Sequence, residues 1–235
     1  MALPLPLPLP IPDPGKGKAK GKGKAFVAMI VATSCGDNLH PPADAAPPAM
    51  PDLAVVASQM DGSALVIDQT FAPDDCAIAE GCIAMPGPRR LVIFDTVTEN
   101  VGNADLVLGQ VPPPGVSSGI FVWSECHMHH HVIGYADYEL LDAVSNVVTT
   151  GHKQGFCLED DEQVQPLGPS HGYNCHFQGL SIGWADVYDR ALPCQWIDVT
   201  DVPTGTYTLR VTIDETGVLP DADPSNNVWM TSVAL

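Results

Sequence analysis

The chain has 235 residues, 45% of them hydrophobic, which is enough for one globular domain and a tail. Its formal net charge is −18, and beyond residue 35 five basic residues stand against 27 acidic ones, a charge of −22. Such a surface repels nucleic acid and attracts cations such as amines, although an acidic coat for solubility gives the same charge. We therefore predict no nucleic-acid partner.

Residues 1–35 have the pattern of an export leader. Five lysines between Lys16 and Lys24 precede the apolar run Ala25–Thr33, and small residues follow up to Cys35. This order is typical of a signal sequence, and the apolar run is too short to span a bilayer. The residues before Cys35 resemble a bacterial lipobox, so we predict its lipidation; a cleaved signal with an incidental cysteine is the alternative. Both predict an exported protein, either lipid-anchored at the cell envelope or secreted, with no other membrane contact.

A proline-rich linker over residues 36–49 leads into a predicted domain over residues 50–235. Short β-type runs alternate there with turn residues, and no amphipathic helix exceeds two turns. We predict an all-β fold, a β-sandwich with long functional loops and few short helices. The irregular stretch Phe156–Asn174 is a candidate functional loop. The predicted strands are Leu53–Ser58, Ala64–Thr70, Arg90–Thr98, Ile120–Trp123, Tyr135–Leu141, Gln195–Thr200, Tyr207–Ile213 and Val228–Leu235.

Three histidines spaced by two residues are the most informative feature of the domain: His127, His129 and His131. On an extended strand they would share one face, while Met128 and His130 would point the other way. Three imidazoles can hold a divalent metal and leave coordination positions open for chemistry. Nitrogen-only ligation favours copper or zinc, with copper ahead on affinity, whereas a histidine-rich polar face is the competing interpretation.

Six cysteines remain when Cys35 is set aside, an even number that in an exported protein predicts three disulfides. Fifteen pairings are possible, and cysteine–metal ligation is the competing use, although no Cys-x-x-Cys pair is present.

Six blocks of sequence, in order and at similar spacing, resemble the catalytic domain of lysyl oxidases over about residue 50 to the C-terminus. They are Trp123–His131, Tyr138–Asp142, Gly151–Asp160, Gln178–Ser181, Asp186–Tyr188 and Cys194–Val202.

The resemblance implies that the three histidines bind copper and that Lys153 and Tyr188 form a self-derived cofactor, lysine tyrosylquinone. In that family the tyrosine is oxidised to a quinone and the lysine amine adds to it. The composition agrees, because Lys153 is the one lysine beyond residue 24 and would have no rival amine. The residues offer plainer interpretations as well, an exposed lysine and a core tyrosine.

The implied reaction converts a primary amine, peptidyl lysine among them, to an aldehyde with O₂, releasing H₂O₂ and ammonia. A base must remove the α-proton of the substrate. Asp186, two residues before Tyr188, and Asp137, just after the histidines, are the candidates.

The resemblance also bears on the cysteines. It implies a Cys76–Cys82 loop and a Cys126–Cys175 pair. Cys157 and Cys194 lack the neighbours with which animal members of the family close local loops, so we predict that these two pair with each other. A Lys153–Tyr188 cross-link would hold their segments together.

A further cluster gathers oxygen donors near the C-terminus and resembles a calcium site of the family. Hard oxygen ligands suit Ca²⁺, whereas a polar turn before the last strand is the alternative. Its role would be structural. The predicted ligands are Asp52, Leu53, Asp221, Asp223, Asn226 and Asn227.

The sequence thus favours an exported copper- and quinone-dependent amine oxidase. A non-enzymatic, metal-binding β-sandwich at the cell surface is the main alternative, and a zinc hydrolase is weakened because no glutamate stands beside the histidines as a base. Lys153 and Tyr188 separate the first hypothesis from the others, since neither rival needs them.

Overall fold

The computed structural model describes residues 48–152, 157–166 and 168–235. The predicted leader, Cys35, most of the linker and Lys153 lie outside these residues. The described chain is built from strands with a few short helices, so the predicted all-β class is confirmed. The helices are α1 (Ala57–Met60), α2 (Cys76–Ala79) and a 3-10 turn (Pro224–Asn226). The strands are β1 (Leu53–Val55), β2 (Leu65–Phe71), β3 (Gly87–Ile93), β4 (Thr96–Asn100), β5 (Leu106–Gln110), β6 (Phe121–Ser124), β7 (His129–Val132), β8 (Ala136–Leu141), β9 (Val147–Thr150), β10 (Glu162–Gln163), β11 (Phe177–Leu180), β12 (Trp184–Tyr188), β13 (Trp196–Asp198), β14 (Thr206–Ile213) and β15 (Val228–Ala234).

Two four-stranded antiparallel sheets enclose the main core. One has the order β1-β4-β12-β10 and the other β15-β14-β8-β9. Val97 and Tyr188 from the first sheet join Tyr138, Leu209 and Trp229 from the second in one buried cluster, the layered arrangement expected of a sandwich. A smaller sheet, β13-β3-β2, covers a second cluster around α2.

The predicted strand Arg90–Thr98 is two strands. β3 ends at Ile93 and β4 begins at Thr96, and they enter different sheets. Asp95 lies between the two strands and is fixed by two hydrogen bonds. Its backbone N–H donates to Ser63 Oγ (3.1 Å), and its carboxylate accepts from the backbone N–H of Arg190 (2.8 Å).

Three disulfides are present among the described residues, as predicted, but all three predicted pairings are wrong. Cys76 does not pair with Cys82, Cys126 does not pair with Cys175, and Cys157 does not pair with Cys194. The pairs, with their Cα separations, are Cys76–Cys126 (5.8 Å), Cys82–Cys194 (5.5 Å) and Cys157–Cys175 (5.0 Å).

The position of α2 explains two of these corrections. Cys76 opens this helix and Cys82 follows it, and the segment lies between the turn carrying Cys126 and the chain at Cys194, so each cysteine bonds across to a neighbouring segment. The third correction, the Cys157–Cys175 pair, is explained by Gln178 on β11. Its side chain accepts from the backbone N–H of Leu158, which brings Cys175 beside Cys157.

No helix within the described residues is long and apolar enough to cross a bilayer.

Candidate active site

The hairpin β6–β7 presents the three histidines. His129 and His131 lie two apart on β7, as predicted, whereas His127 belongs to the preceding turn and not to the strand. Met128 makes that turn possible with a left-handed φ of 58°. The turn closes when the backbone N–H of Met128 donates to the carbonyl of Ser124. The expected convergence therefore occurs, by strand alternation for two rings and by a turn for the third.

The ring nitrogens converge closely enough to share one ion. His127 Nδ1 lies 3.2 Å from His131 Nε2, which is 3.1 Å from His129 Nε2. Three converging ring nitrogens suit one metal ion, and imidazole suits copper or zinc. Burial, followed by the charge of His127, lowers the pKa of His129, and this favours the neutral ring that a metal requires. The donor set therefore fits copper.

The other two side chains of this stretch point elsewhere. His130 packs against Trp123, and its Nε2 lies 2.8 Å from the carbonyl oxygen of Val116. Met128 is 67% exposed. Neither belongs to the nitrogen cluster.

A cavity of about 250 Å³ brings His129 together with Tyr188 and Asp186. The strand β12 places the last two, which lie two residues apart and so share one face. The Tyr188 side chain is 3% exposed, and its hydroxyl donates to the carbonyl oxygen of Cys157 (3.0 Å). The remaining lining residues are Cys157, Glu159, Asp161, Cys175, Val187 and Leu192.

Asp186 is a deeply buried carboxyl group at 1% exposure. Neither of its oxygens has a hydrogen-bond partner among the described residues. Burial raises its pKa well above the usual range, and the nearby Tyr188 hydroxyl opposes this in part. The pKa of Tyr188 is also raised well above its usual range, by burial and then by Asp186. A buried acid with a raised pKa beside a cavity is typical of a proton-transfer site.

Tyr135 borders this pair and was not singled out by the sequence. Its ring meets that of Tyr188 edge to face at 5.7 Å, and its buried hydroxyl has no hydrogen-bond partner among the described residues. Burial, then Asp186, raises its pKa.

The other predicted site residues lie apart from the cavity or outside the described chain. Asp137 is half-buried on β8 opposite Thr212 and does not line the cavity; burial, then Glu215, raises its pKa. Lys153 lies outside the described residues.

The loop predicted to be functional does supply cavity wall. Cys157, Glu159 and Asp161 all line it. Between them the buried Asp160 holds the loop, accepting from the backbone N–H groups of Gly172 and Ser181. The two acids were missed as site residues, although the Glu159–Asp161 run inside an irregular segment was the available signal.

The predicted calcium ligands come from opposite ends of the domain sequence, and hydrogen bonds bring the two groups together. Asn226 Nδ2 donates to Asp52 Oδ1 (2.9 Å), and Asn227 Nδ2 donates to Asp221 Oδ2 (2.7 Å). The backbone N–H of Leu53 donates to Asp221 Oδ1 (3.3 Å). Both amides therefore turn their nitrogens toward carboxylates.

This leaves two oxygens without partners. The Oδ1 atoms of Asn226 and Asn227 are buried and accept no hydrogen bond within the described chain. Asp223 points outward and caps the 3-10 turn, accepting from the backbone N–H of Ser225. Orphaned oxygens beside carboxylates suit a hard cation such as Ca²⁺.

Comparison with known proteins gives a consistent match. The family model described as "Lysyl oxidase" matches residues 51–235. Lysyl oxidase homolog 2 of Rattus norvegicus is 34% identical over 190 residues, which cover 76% of this chain and 24% of that protein. Lysyl oxidase homolog 3A of Danio rerio is 35% identical over 191 residues, covering 73% and 25%. Protein-lysine 6-oxidase of Gallus gallus is 33% identical over 190 residues, covering 76% and 44%. The match thus spans a quarter to less than half of these relatives.

Proposed function

The chain belongs to the lysyl oxidase family, and on this premise we propose that it is a copper- and quinone-dependent amine oxidase. It would convert primary amines to aldehydes with O₂ and release H₂O₂ and ammonia. The observation that carries the proposal is the cavity shared by His129, Tyr188 and Asp186. A metal-binding module without catalysis has no need for a buried tyrosine and a buried acid on that wall.

Copper would be held by His127 Nδ1, His129 Nε2 and His131 Nε2. Together with a lysine tyrosylquinone made from Tyr188 and Lys153, it supplies the redox chemistry. Lys153 stands four positions before Cys157, whose carbonyl oxygen accepts the Tyr188 hydroxyl. That hydrogen bond holds the phenol of Tyr188 in the cavity wall.

Asp186 is our choice for the base that takes the α-proton of the substrate. It lines the cavity, whereas Asp137 does not. Its raised pKa brings its proton affinity toward neutral pH, which is the range where a general base works best.

The cavity lining favours a cationic amine as substrate. Glu159, Asp161 and Asp186 contribute three carboxyl groups, and no lysine or arginine lines the cavity within the described part of the chain. The acidic domain as a whole would attract such cations, among them lysine side chains of polypeptides. Protein-lysine 6-oxidase, one of the relatives, is named for protein lysine.

Two further roles belong to the proposal. Ca²⁺ would be held by the carboxylates of Asp52 and Asp221 and the free oxygens of Asn226 and Asn227, joining β1 to the last strand. The protein would be exported and either lipid-anchored through Cys35 or secreted, following the leader pattern of residues 1–35.

The test uses the full chain loaded with copper in air. We expect a visible quinone band, a proteolytic cross-link between the Lys153 and Tyr188 peptides, and H₂O₂ release with a primary amine. Tyr188→Phe should abolish all three. Tyr207→Phe is the matched control. Tyr207 lies on β14 in the other sheet, its hydroxyl donates to the carbonyl oxygen of Pro203, and it does not line the cavity. Copper bound at full occupancy, with two ordinary peptides and no H₂O₂, would favour the non-enzymatic alternative.

A further inference from the structure

Glu80 is an acidic residue outside the cavity that contacts the histidine cluster directly. It follows α2, between Cys76 and Cys82. One of these cysteines is bonded to Cys126 in the histidine turn and the other to Cys194. The short segment 76–82 is thus covalently tied on both sides, and the position of Glu80 is fixed with it.

A single hydroxyl links Glu80 to His127. Ser124 Oγ donates to Glu80 Oε1 (2.6 Å) and accepts from the backbone N–H of His127 (3.0 Å). The second carboxylate oxygen, Oε2, lies 3.6 Å from His127 Nε2. The backbone and the ring of His127 therefore face the same carboxylate-and-hydroxyl pair. The Glu80 carboxylate and the His127 ring are both largely shielded from solvent.

The two ring nitrogens of His127 face different groups, and this determines what the contact with Glu80 can do. His127 turns Nδ1 toward the other two histidines, so Nε2 is the nitrogen left on the far side. A histidine that binds metal through one nitrogen carries its proton on the other, and that N–H is normally held by a carboxylate or carbonyl.

We propose that Glu80 is a positioning residue for the metal site: it accepts the Nε2–H of His127 and thereby holds the ring with Nδ1 toward the ion. The inference rests on the copper site proposed above but not on quinone formation or amine oxidation. Ser124 orients the carboxylate, and the two disulfides keep it in place. The pair needs to approach by only a few tenths of an ångström to form a hydrogen bond.

The experiment measures Cu(II) affinity and the electron paramagnetic resonance spectrum of the full-length oxidised protein, without added amine. Glu80→Gln should weaken Cu(II) binding about 10-fold and Glu80→Ala up to about 100-fold, the range found when outer partners of ligating histidines are removed. The copper hyperfine splitting should change as well, which a loss of general stability would not cause.

Glu125→Gln is the matched control. It removes one carboxylate charge from the histidine turn itself, next to Cys126, but from an exposed position. Its copper affinity should stay within about 2-fold of the wild type, with an unchanged spectrum. Thermal unfolding and intact mass confirm that every variant is folded with three disulfides.

The outcomes separate the two proposals. If the wild type binds copper and the Glu80 variants match Glu125→Gln in affinity and spectrum, the role of Glu80 is refuted while the oxidase proposal stands. If the Glu80 variants lose affinity but the wild type forms no quinone, the positioning role stands and the oxidase proposal fails. A wild type that binds no copper would overturn both.

Discussion

Replacing Asp186 by asparagine tests the proposed base and the cost of burying it in one variant. The side chain keeps its shape and loses its ability to take a proton. Positioned general bases contribute about 10²- to 10⁴-fold to rate, so we expect a loss of turnover in that range. Asp137→Asn, which alters the candidate that does not line the cavity, should change turnover less than about 3-fold.

The same variant should be more stable than the wild type at neutral pH. Burial raises the pKa of Asp186 in the folded protein, so the folded state binds this proton more tightly than the unfolded chain does. The stability from this group is complete below the ordinary aspartate pKa and is lost as pH rises through the raised value. The gain in stability of Asp186→Asn over the wild type should therefore be clear at pH 7 and should shrink toward pH 4.

The assays are denaturant unfolding of the metal-free protein from pH 4 to 8, and H₂O₂ release by the copper-loaded protein. The quinone band is measured first, so that failed maturation is not mistaken for a lost base. Turnover of Asp186→Asn within 3-fold of the wild type, at equal quinone content, would remove Asp186 as the base. A stability difference that does not grow with pH would refute the argument from burial.

Two further changes probe the structural parts of the domain. Asn100 is fully buried, its amide donates to the carbonyls of Ala104 and Leu180, and its oxygen accepts from two backbone N–H groups. Asn100→Ala should therefore lower the free energy of unfolding by about 3 kcal/mol or more. Denaturant unfolding measures this, and a loss below 1 kcal/mol would mean that water replaces the amide. Calcium at about 100 times its Kd should stabilise the wild type by about 2.7 kcal/mol, whereas Asp221→Ala should respond weakly; equal shifts in the two proteins would exclude this cluster as the site.

Much of the site could be predicted because its signals are local. Alternation placed His129 and His131 on one face, and the regular polar–apolar pattern of residues 207–213 identified β14. Asp186 and Tyr188 were both named from the sequence and line one cavity, yet β12 itself was not predicted. Residues on both faces of β12 are buried or half-buried, so Trp184–Tyr188 shows no regular alternation of polar and apolar residues.

The misses depend on contacts between distant parts of the chain. Cysteine spacing could not reveal that α2 lies between two other segments, so the pairing within residues 76–82 was expected where two cross-links outward exist. Glu80 was missed for the same reason. Its contact with His127 joins positions 47 apart, and nothing in the neighbouring sequence marks it.

The two disulfides that hold residues 76–82 also determine when the metal site can form. In a reducing cytoplasm neither disulfide would persist, and Glu80, which contacts His127, would lie on a loop without a covalent anchor. The high-affinity form of the ion site would then arise only after oxidation of the thiols. If the chain is an exported oxidase, as proposed, its oxidising power would develop only after it has left the compartment whose amines it could damage.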